Sequence, residues 1–309
     1  MNNSEQLRAI EFENIELTTI IQRLENGQYA IPVFQRDFVW DKSNIRDLWD
    51  SIYRHYPIGS FLIWETDEQL PRHRNILNIE LKENSKGKFN YVLDGQQRIT
   101  SIIGAAKGAK RNRTSFKLFF NISKAYEMSK KDLLDQISNS PFLTEKELKD
   151  SSSSDQVLPL EKLLDFDSAI YRNLSQINYD LSDYYLTISE KFRKYYKVSV
   201  IKLNNIPIEE ICDIFTRVNQ KGKKLSLVDL MVAKTYKQDE FYLRDNLDEL
   251  QDYLLKEDYD GIDELIFLRT VSVHKTQKCS ESDILDIKSD DILALWEKTT
   301  TSIIQTSNN

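Results

Sequence analysis

The chain has 309 residues, 40% of them hydrophobic and 29% charged, with a formal net charge of −7. Fifteen tyrosines and fourteen phenylalanines are enough to build a core, which excludes global disorder, and the length suits one large domain or two ordinary ones. The acidic balance excludes a molecule-wide field for nucleic acid, so any such contact must come from local basic patches.

Two cysteines, Cys212 and Cys279, and three scattered histidines, His55, His73 and His274, show neither disulfide nor zinc spacing. No signal peptide opens the chain and no apolar run approaches 18 residues. The expectation is a cytoplasmic protein with no membrane partner.

Helical periodicity runs from Glu16 to Gln28, with Asn26-Gly27 as a stop. A short strand is expected at Tyr29–Ile31, ended by Pro32. The aromatic segment VFQRDFVW that follows reads as extended chain or loop. Asp41 is a good N-cap for a helix with Ile45, Leu48, Trp49, Ile52 and Tyr53 on one face. Pro57-Ile58-Gly59 breaks that pattern, and Ser60–Glu65 reads as a buried strand. Residues 79–82 and 88–93 are expected to pair as a hairpin. A helix over Gln97–Ala106, a basic turn and a strand over Ser115–Ser123 complete a mixed α/β unit.

From Lys124 to Gln156 the chain is polar and includes a four-serine run, Ser151–Ser154, so a partly helical insertion ending in a loop is expected. Leu160–Tyr196 is helical and tyrosine-rich, and Val198–Leu203 returns as a strand. A further helix begins near Pro207, and Ser226 with Asp229 resembles a capping box. The rest is helical and acidic, with the last dozen residues frayed or cut. The fold class is α+β with a large helical C-terminal portion. The expected divisions are an α/β core over 1–125, an insertion over 126–159, a helical region with the returning strand over 160–240, and a helical region over 241–309.

The stretch Tyr91–Thr100, YVLDGQQRIT, concentrates chemistry. A strand that turns on Gly95 and opens into a helix aims unpaired backbone N–H groups at one spot, which favours an anion. Arg98 in the first helical turn offers a planar fork for a phosphate, and Asp94 at the strand end offers a carboxylate for a metal or a water. Asp-Gly is also a common turn dipeptide, so the stretch alone admits a plain surface turn. Two other segments combine polar function with glycine or proline punctuation. In IPVFQRDFVW, Gln35 and Arg36 sit among aromatics. In FTRVNQKGKKLSLVDL, Arg217 and Asn219 precede a basic turn containing Lys221, Lys223 and Lys224 around Gly222.

Together, in this order, the three segments resemble the N-terminal domain of the GmrSD family of modification-dependent restriction systems, over roughly residues 15–237. The resemblance implies a core of the ParB/sulfiredoxin-like type. It implies a nucleotide-phosphate site at Asp94, Gly95, Gln96, Gln97 and Arg98, lined also by Gln35, Arg36, Arg217 and Asn219, with Lys223 adding local charge. It further implies hydrolysis of a nucleoside triphosphate or sensing of modified DNA, and control of an HNH nuclease. No His-Asn-His constellation follows the third motif, where His274 stands alone, so a nuclease domain or partner protein is expected to supply cleavage.

The leading reading is therefore a nucleotide-binding and hydrolysing regulatory domain, in which Asp94 holds Mg²⁺, Gln97 or Gln96 orients the attacking water and Arg98 neutralises phosphate charge. One alternative is a non-enzymatic DNA reader that uses the basic run Lys107, Lys110, Arg111, Arg113 and Lys117. Another is an interaction module that docks a nuclease. A homo-oligomer is compatible with each. Three expectations concern the site. Its three motifs should converge in space, Arg98→Ala should leave the fold intact, and Gly95→Val should lose nucleotide binding more than stability.

Overall fold

The computed structural model describes residues 9–32, 35, 38–67, 70, 72–73, 75–82, 87–131, 139–149, 156–207, 210–211, 214, 217, 226–235, 241–256 and 262–307. The chain divides into two compact units. The first is Met1–Ile31, Asp37–Asp67 and His73–Asn205; the second is Pro32–Arg36, Glu68–Arg72 and Ile206–Asn309.

The first unit opens with strand β1 (Ala9–Glu16), helix α1 (Leu17–Glu25) and strand β2 (Tyr29–Ala30). Helix α2 (Lys42–Tyr53) starts where its chemistry predicts. The Asp41 side chain accepts from the backbone N–H of Ser43 and Asn44, and Asn44 returns a bond to Asp41, a full capping box. Strands β3 (Phe61–Thr66), β4 (Asn75–Ile76), β5 (Ile79–Glu80) and β6 (Phe89–Asp94) lead into helix α3 (Gln96–Lys107). The basic stretch beyond α3 is a small hairpin, β7 (Lys110–Arg111) and β8 (Thr114–Ser115), turning on Asn112 at φ 55.

Strand β9 (Leu118–Asn121) is followed by helix α4 (Ile122–Ser129), strand β10 (Phe142–Thr144), a short helix α5 (Glu145–Leu148) and strand β11 (Val157–Pro159). Helices α6 (Glu161–Leu164), α7 (Ser168–Ile177) and α8 (Tyr179–Glu190) come next. A π-helical turn over Lys191–Tyr195 then precedes strand β12 (Lys197–Asn204).

The main sheet has the order β1-β12-β3-β6-β2. Strand β12 lies antiparallel to β1 and parallel to β3; β6 lies antiparallel to β3 and parallel to β2. A strand near the end of the unit thus occupies the second position of the sheet. One face of this sheet carries Val198, Val200, Phe61, Ile63 and Val92 into a core shared with Leu17, Ile20 and Leu24 of α1 and Ile99, Ile102 and Ile103 of α3. An aromatic group of Trp49, Phe120, Phe142 and Phe192, with ring centroids 5.2–6.4 Å apart, ties α2 to the second sheet, β10-β9-β11, and to the π-helical turn.

The second unit is helical. Helices α9 (Leu227–Lys234), α10 (Leu243–Lys256), α11 (Glu264–Thr276), α12 (Glu281–Leu285) and α13 (Ser289–Ser307) surround Met231, Leu243, Leu254, Phe267, Val271 and Ile292, all fully buried. Arg244 of α10 joins three of these helices through Asp229 at 2.9 Å and Glu264 at 2.7 Å. His274 of α11 is half-buried, with its Nδ1 3.5 Å from the Thr299 hydroxyl of α13.

The structure corrects two expectations, a hairpin and a frayed end, and adds pairings that the sequence did not signal. Residues 79–82 and 88–93 do not form a hairpin: β5 pairs with β4, and β6 is claimed by β3 and β2 in the main sheet. Within residues 126–159, expected as a partly helical insertion, β10 and β11 flank β9 as a sheet. The last dozen residues do not fray at their start: α13 runs to Ser307 and buries Ile303. Strand β1, unseen in the sequence, fills the sheet edge beside β12. The compact units divide after residue 205, and the α9 side chains share a core with α10 and α11. The Ser151–Ser154 run lies outside the described residues.

Candidate functional site: the turn from β6 into α3

Three buried β residues, Tyr91, Val92 and Leu93, deliver Asp94 to the end of β6. Gly95 then adopts φ 94, a left-handed conformation that side chains other than glycine rarely take. It serves as the N-cap of α3 and supplies no side-chain cap, so the first-turn N–H groups of the helix point outward at the strand end. A Cβ on Gly95 would overlap the ring of Phe61, which is fully buried. Stability must therefore suffer in Gly95→Val along with any binding.

Arg98 is fixed from three sides. Its Nη1 donates to the Ile58 carbonyl at 2.7 Å and its Nη2 donates to Asp94 Oδ2 at 2.8 Å. The guanidinium lies over the Phe61 ring, 5.2 Å from its centroid. Gly59, at φ 82, lets the Pro57–Ser60 loop pass against this guanidinium, where a Cβ would collide with Nη1. The Pro57-Ile58-Gly59 break that ends the preceding helical pattern is thus also the seat of Arg98. Guanidinium has five N–H donors, so the two bonds within the fold orient the group without exhausting it. Arg98 lines a cavity of about 350 Å³ with Trp40, Asn44, Asp47 and Ser51.

Gln97 is 7% exposed and acts inside the fold. Its Oε1 accepts from the backbone N–H of Val39 at 2.9 Å and of Trp40 at 3.4 Å. Arg111 holds the same segment from the other side. It donates to the Phe38 carbonyl and sits 5.6 Å from the Phe38 ring centroid and 5.4 Å from that of Phe116. Segment Phe38–Trp40 is thereby anchored to α3 and to the β7–β8 hairpin. The sequence signals neither link, because 58 and 73 residues separate the partners.

The other expected site residues are distributed as follows. Gln96, beside Gln97, is half-exposed. Gln35 is 9% exposed and belongs to the second unit, as does the exposed Arg217. Arg36, Asn219, Gly222 and Lys223 lie outside the described residues. In the basic run, Lys107 pairs with Glu25 at 2.8 Å and Lys117 lies over Phe119, whereas Lys110 and Arg113 are exposed at the hairpin. Among the described residues no group of three or more His, Cys, Asp or Glu is arranged to hold a metal. Asp94 binds Arg98 through Oδ2, which leaves Oδ1 for a cation. A single carboxylate completed by phosphate oxygens is a normal Mg²⁺ donor set.

Comparison with known proteins decides the family. The GmrSD restriction endonuclease N-terminal domain matches residues 17–236. The chain belongs to this family. An uncharacterized protein of Methanocaldococcus jannaschii is 30% identical over 250 residues, which cover 72% of this chain. The chain spans about two fifths of that relative's length, 41%. A domain of restriction systems is therefore present, and both Asp94 and Arg98 lie within the matched region. No helix among the described residues is long and apolar enough to cross a membrane.

Proposed function

We propose that this chain is a nucleotide-binding, nucleoside-triphosphate-hydrolysing regulatory domain of a modification-dependent restriction system, with the β6–α3 turn as its phosphate site. One observation carries the reading: a left-handed glycine ends a strand, opens an N-terminus without a side-chain cap, and sets an oriented arginine one turn into the helix. Helix N–H groups and Arg98 act together on the charge that develops on a transferred phosphoryl group. Phosphoryl transfer asks for such positioning and charge stabilisation rather than covalent chemistry. Asp94 Oδ1 would hold Mg²⁺, which when bound neutralises phosphate charge. Because the Gln97 side-chain oxygen is committed to Val39 and Trp40, placing the attacking water falls to Gln96, and Gln97 is a positioning residue. DNA cleavage is assigned to a nuclease domain or partner protein.

The test is titration of the full chain with the four nucleoside triphosphates and Mg²⁺, followed by phosphate release. Saturable binding and turnover that Arg98→Ala abolishes are expected. Turnover unchanged in a folded Arg98→Ala protein would remove the site from this turn. The exposed Lys110 and Arg113 favour a second reading, contact with duplex backbone. Such binding would weaken steeply as salt rises, in proportion to the phosphates contacted.

A further inference from the structure

Strand β1 closes the main sheet on one side and leaves its outer edge open. Its eight residues pair with β12 in one unbroken register, from Ala9 opposite Asn204 to Glu16 opposite Lys197. Among the described residues its backbone has no other ladder partner. At about 3.4 Å per residue the open edge is roughly 27 Å long. Alternate residues of an edge strand turn both backbone groups outward, which makes the edge a template for a further strand. Edges are commonly blunted by shortness, proline, lysine or a bulge. The opposite edge, β2, is two residues long, and Pro32 follows it closely. Strand β1 has none of these guards.

The side chains of β1 specify what an added strand must carry. On one face, Ile10 lies in register with Leu203, Trp64 and Tyr91, and Phe12 with Ile201 and Leu62. Leu203, Trp64, Tyr91 and Leu62 are buried, whereas Ile10 is 59% and Phe12 78% exposed. This apolar face therefore runs out to the edge, and its last strand is uncovered. On the other face stand Glu11 and Glu13. Glu13 meets Arg23 at 3.3 Å, while Glu11 is exposed and has no ion pair among the described residues. Glu16 adds a third carboxylate, and the strand has no basic residue. A second copy of this chain matches such an edge poorly. An antiparallel strand related by a twofold axis sets odd positions against odd and even against even. The two longest such registers, centred on Phe12 and on Glu13, place Glu11 opposite Glu13 or Glu13 opposite itself. Like charges directly opposite destabilise a strand pair. Charge complementarity requires a basic partner instead.

We propose that the open edge of β1 docks an extended segment of a partner protein in which lysine or arginine alternates with apolar residues. The added backbone continues the ladder, the basic side chains stand beside Glu11 and Glu13, and the apolar ones cover Ile10 and Phe12. In strand addition the backbone bonds supply affinity and the alternate side chains supply selectivity. In the sheet, β12 and β3 stand between β1 and β6. The docking edge is therefore separate from the β6–α3 turn and does not depend on that turn's proposed role.

The experiment is fluorescence anisotropy of the full chain with a labelled peptide of alternating lysine and valine, matched in length to the eight residues of β1. The same peptide with glutamate for lysine is run beside it, and hydrogen exchange of the β1 amides is followed with and without peptide. The proteins are wild type, Glu11→Gln and Phe12→Thr, whose altered side chains are exposed, so the fold is kept. Saturable binding of the lysine peptide, severalfold weaker in each variant and accompanied by slower exchange in β1, is expected, with no binding of the glutamate peptide. The proposal is overturned if the lysine peptide fails to bind wild type at millimolar concentration, binds both variants as tightly as wild type, or binds without slowing exchange in β1. Equal binding of the glutamate peptide also overturns it. Sedimentation tests the second copy: a wild-type dimer that Phe12→Thr abolishes would give the edge to another copy of this chain and overturn the basic partner.

Discussion

The two ends of β6 hold polar groups in opposite ways. At its C-terminal end, Asp94, Gly95, Gln97 and Arg98 lie within one short stretch of chain, and the fold itself engages them: a carboxylate, three backbone partners and an aromatic ring fix the two long side chains. At its N-terminal end, Asn90 sits in a polar cavity lined from every strand of the sheet, where Glu65 meets both Lys88 and Lys202. The first arrangement is rigid because each group has a partner inside the protein. The second gathers its charges from strands far apart in the sequence. A polar cluster can thus be built by one contiguous stretch of chain or by sheet register alone.

The sharpest way to break this comparison is at Gly95. Even Gly95→Ala must take an unfavourable φ and displace the buried Phe61 ring. The expected loss is roughly 3 kcal/mol or more of stability in chemical denaturation, from backbone strain and overpacking together. A wild-type midpoint for Gly95→Ala would show that the turn is looser than described.

Arg98→Ala comes next. It removes the bonds to Ile58 and Asp94 and leaves the Ile58 carbonyl without this donor, so a loss of about 1–3 kcal/mol is expected. The fold is then weakened but present, and any nucleotide effect must be measured at a temperature where the variant is folded. Thermal melts of Arg98→Ala and Arg98→Lys check this. Lysine has a single point charge in place of the fork, and it should recover only part of the loss.

Gln97 separates bracing from catalysis. Gln97→Leu strips the acceptor from the Val39 and Trp40 N–H groups, at a cost of about 1–2 kcal/mol. Gln97→Glu keeps an acceptor oxygen and should restore protection of those two amides in hydrogen exchange. If Gln97→Glu exchanges as fast as Gln97→Leu, the side-chain oxygen is not what holds the Phe38–Trp40 segment.

The smallest effect is at the opposite end of β6. Burial, opposed by the hydrogen bond from Arg23, raises the Tyr29 phenol above its ordinary 10.0. A raised pKa in the folded state stabilises the fold below the unfolded value and loses that contribution as pH rises through the folded one. Stability should therefore fall slightly above pH 10 through this group. Tyr29→Phe should flatten that alkaline arm in a pH series of melts, and an unchanged arm would place the titration elsewhere.

Local chemistry was legible in the sequence wherever a few adjacent residues decide the outcome. The Asp41 and Ser226 capping boxes stand where the residues foretold, as do the strand–glycine–helix turn at Gly95 and the strands at Phe61–Thr66 and Lys197–Asn204. Pairing was not legible. Residues 79–82 and 88–93 are close in sequence and suited to a hairpin, but the sheet offered β6 two neighbours with buried faces, and burial outweighed proximity. Strand β1 escaped notice because Ile10 and Phe12 are exposed at the sheet edge, and an edge strand has no full apolar alternation to reveal it.

By itself, then, the sequence determined the fold class, the family, most helices and the turn that presents Asp94 and Arg98, because caps, glycine conformations and contiguous motifs act over a few residues. Only the tertiary structure decided that Gln97 and Arg111 brace a segment 58 and 73 residues away. It alone brought one polar residue from each of five strands, spread from Glu13 to Lys202, into a single cavity. The physical reason is that a sheet brings together residues by strand order and register, and neither is written in any local stretch of chain.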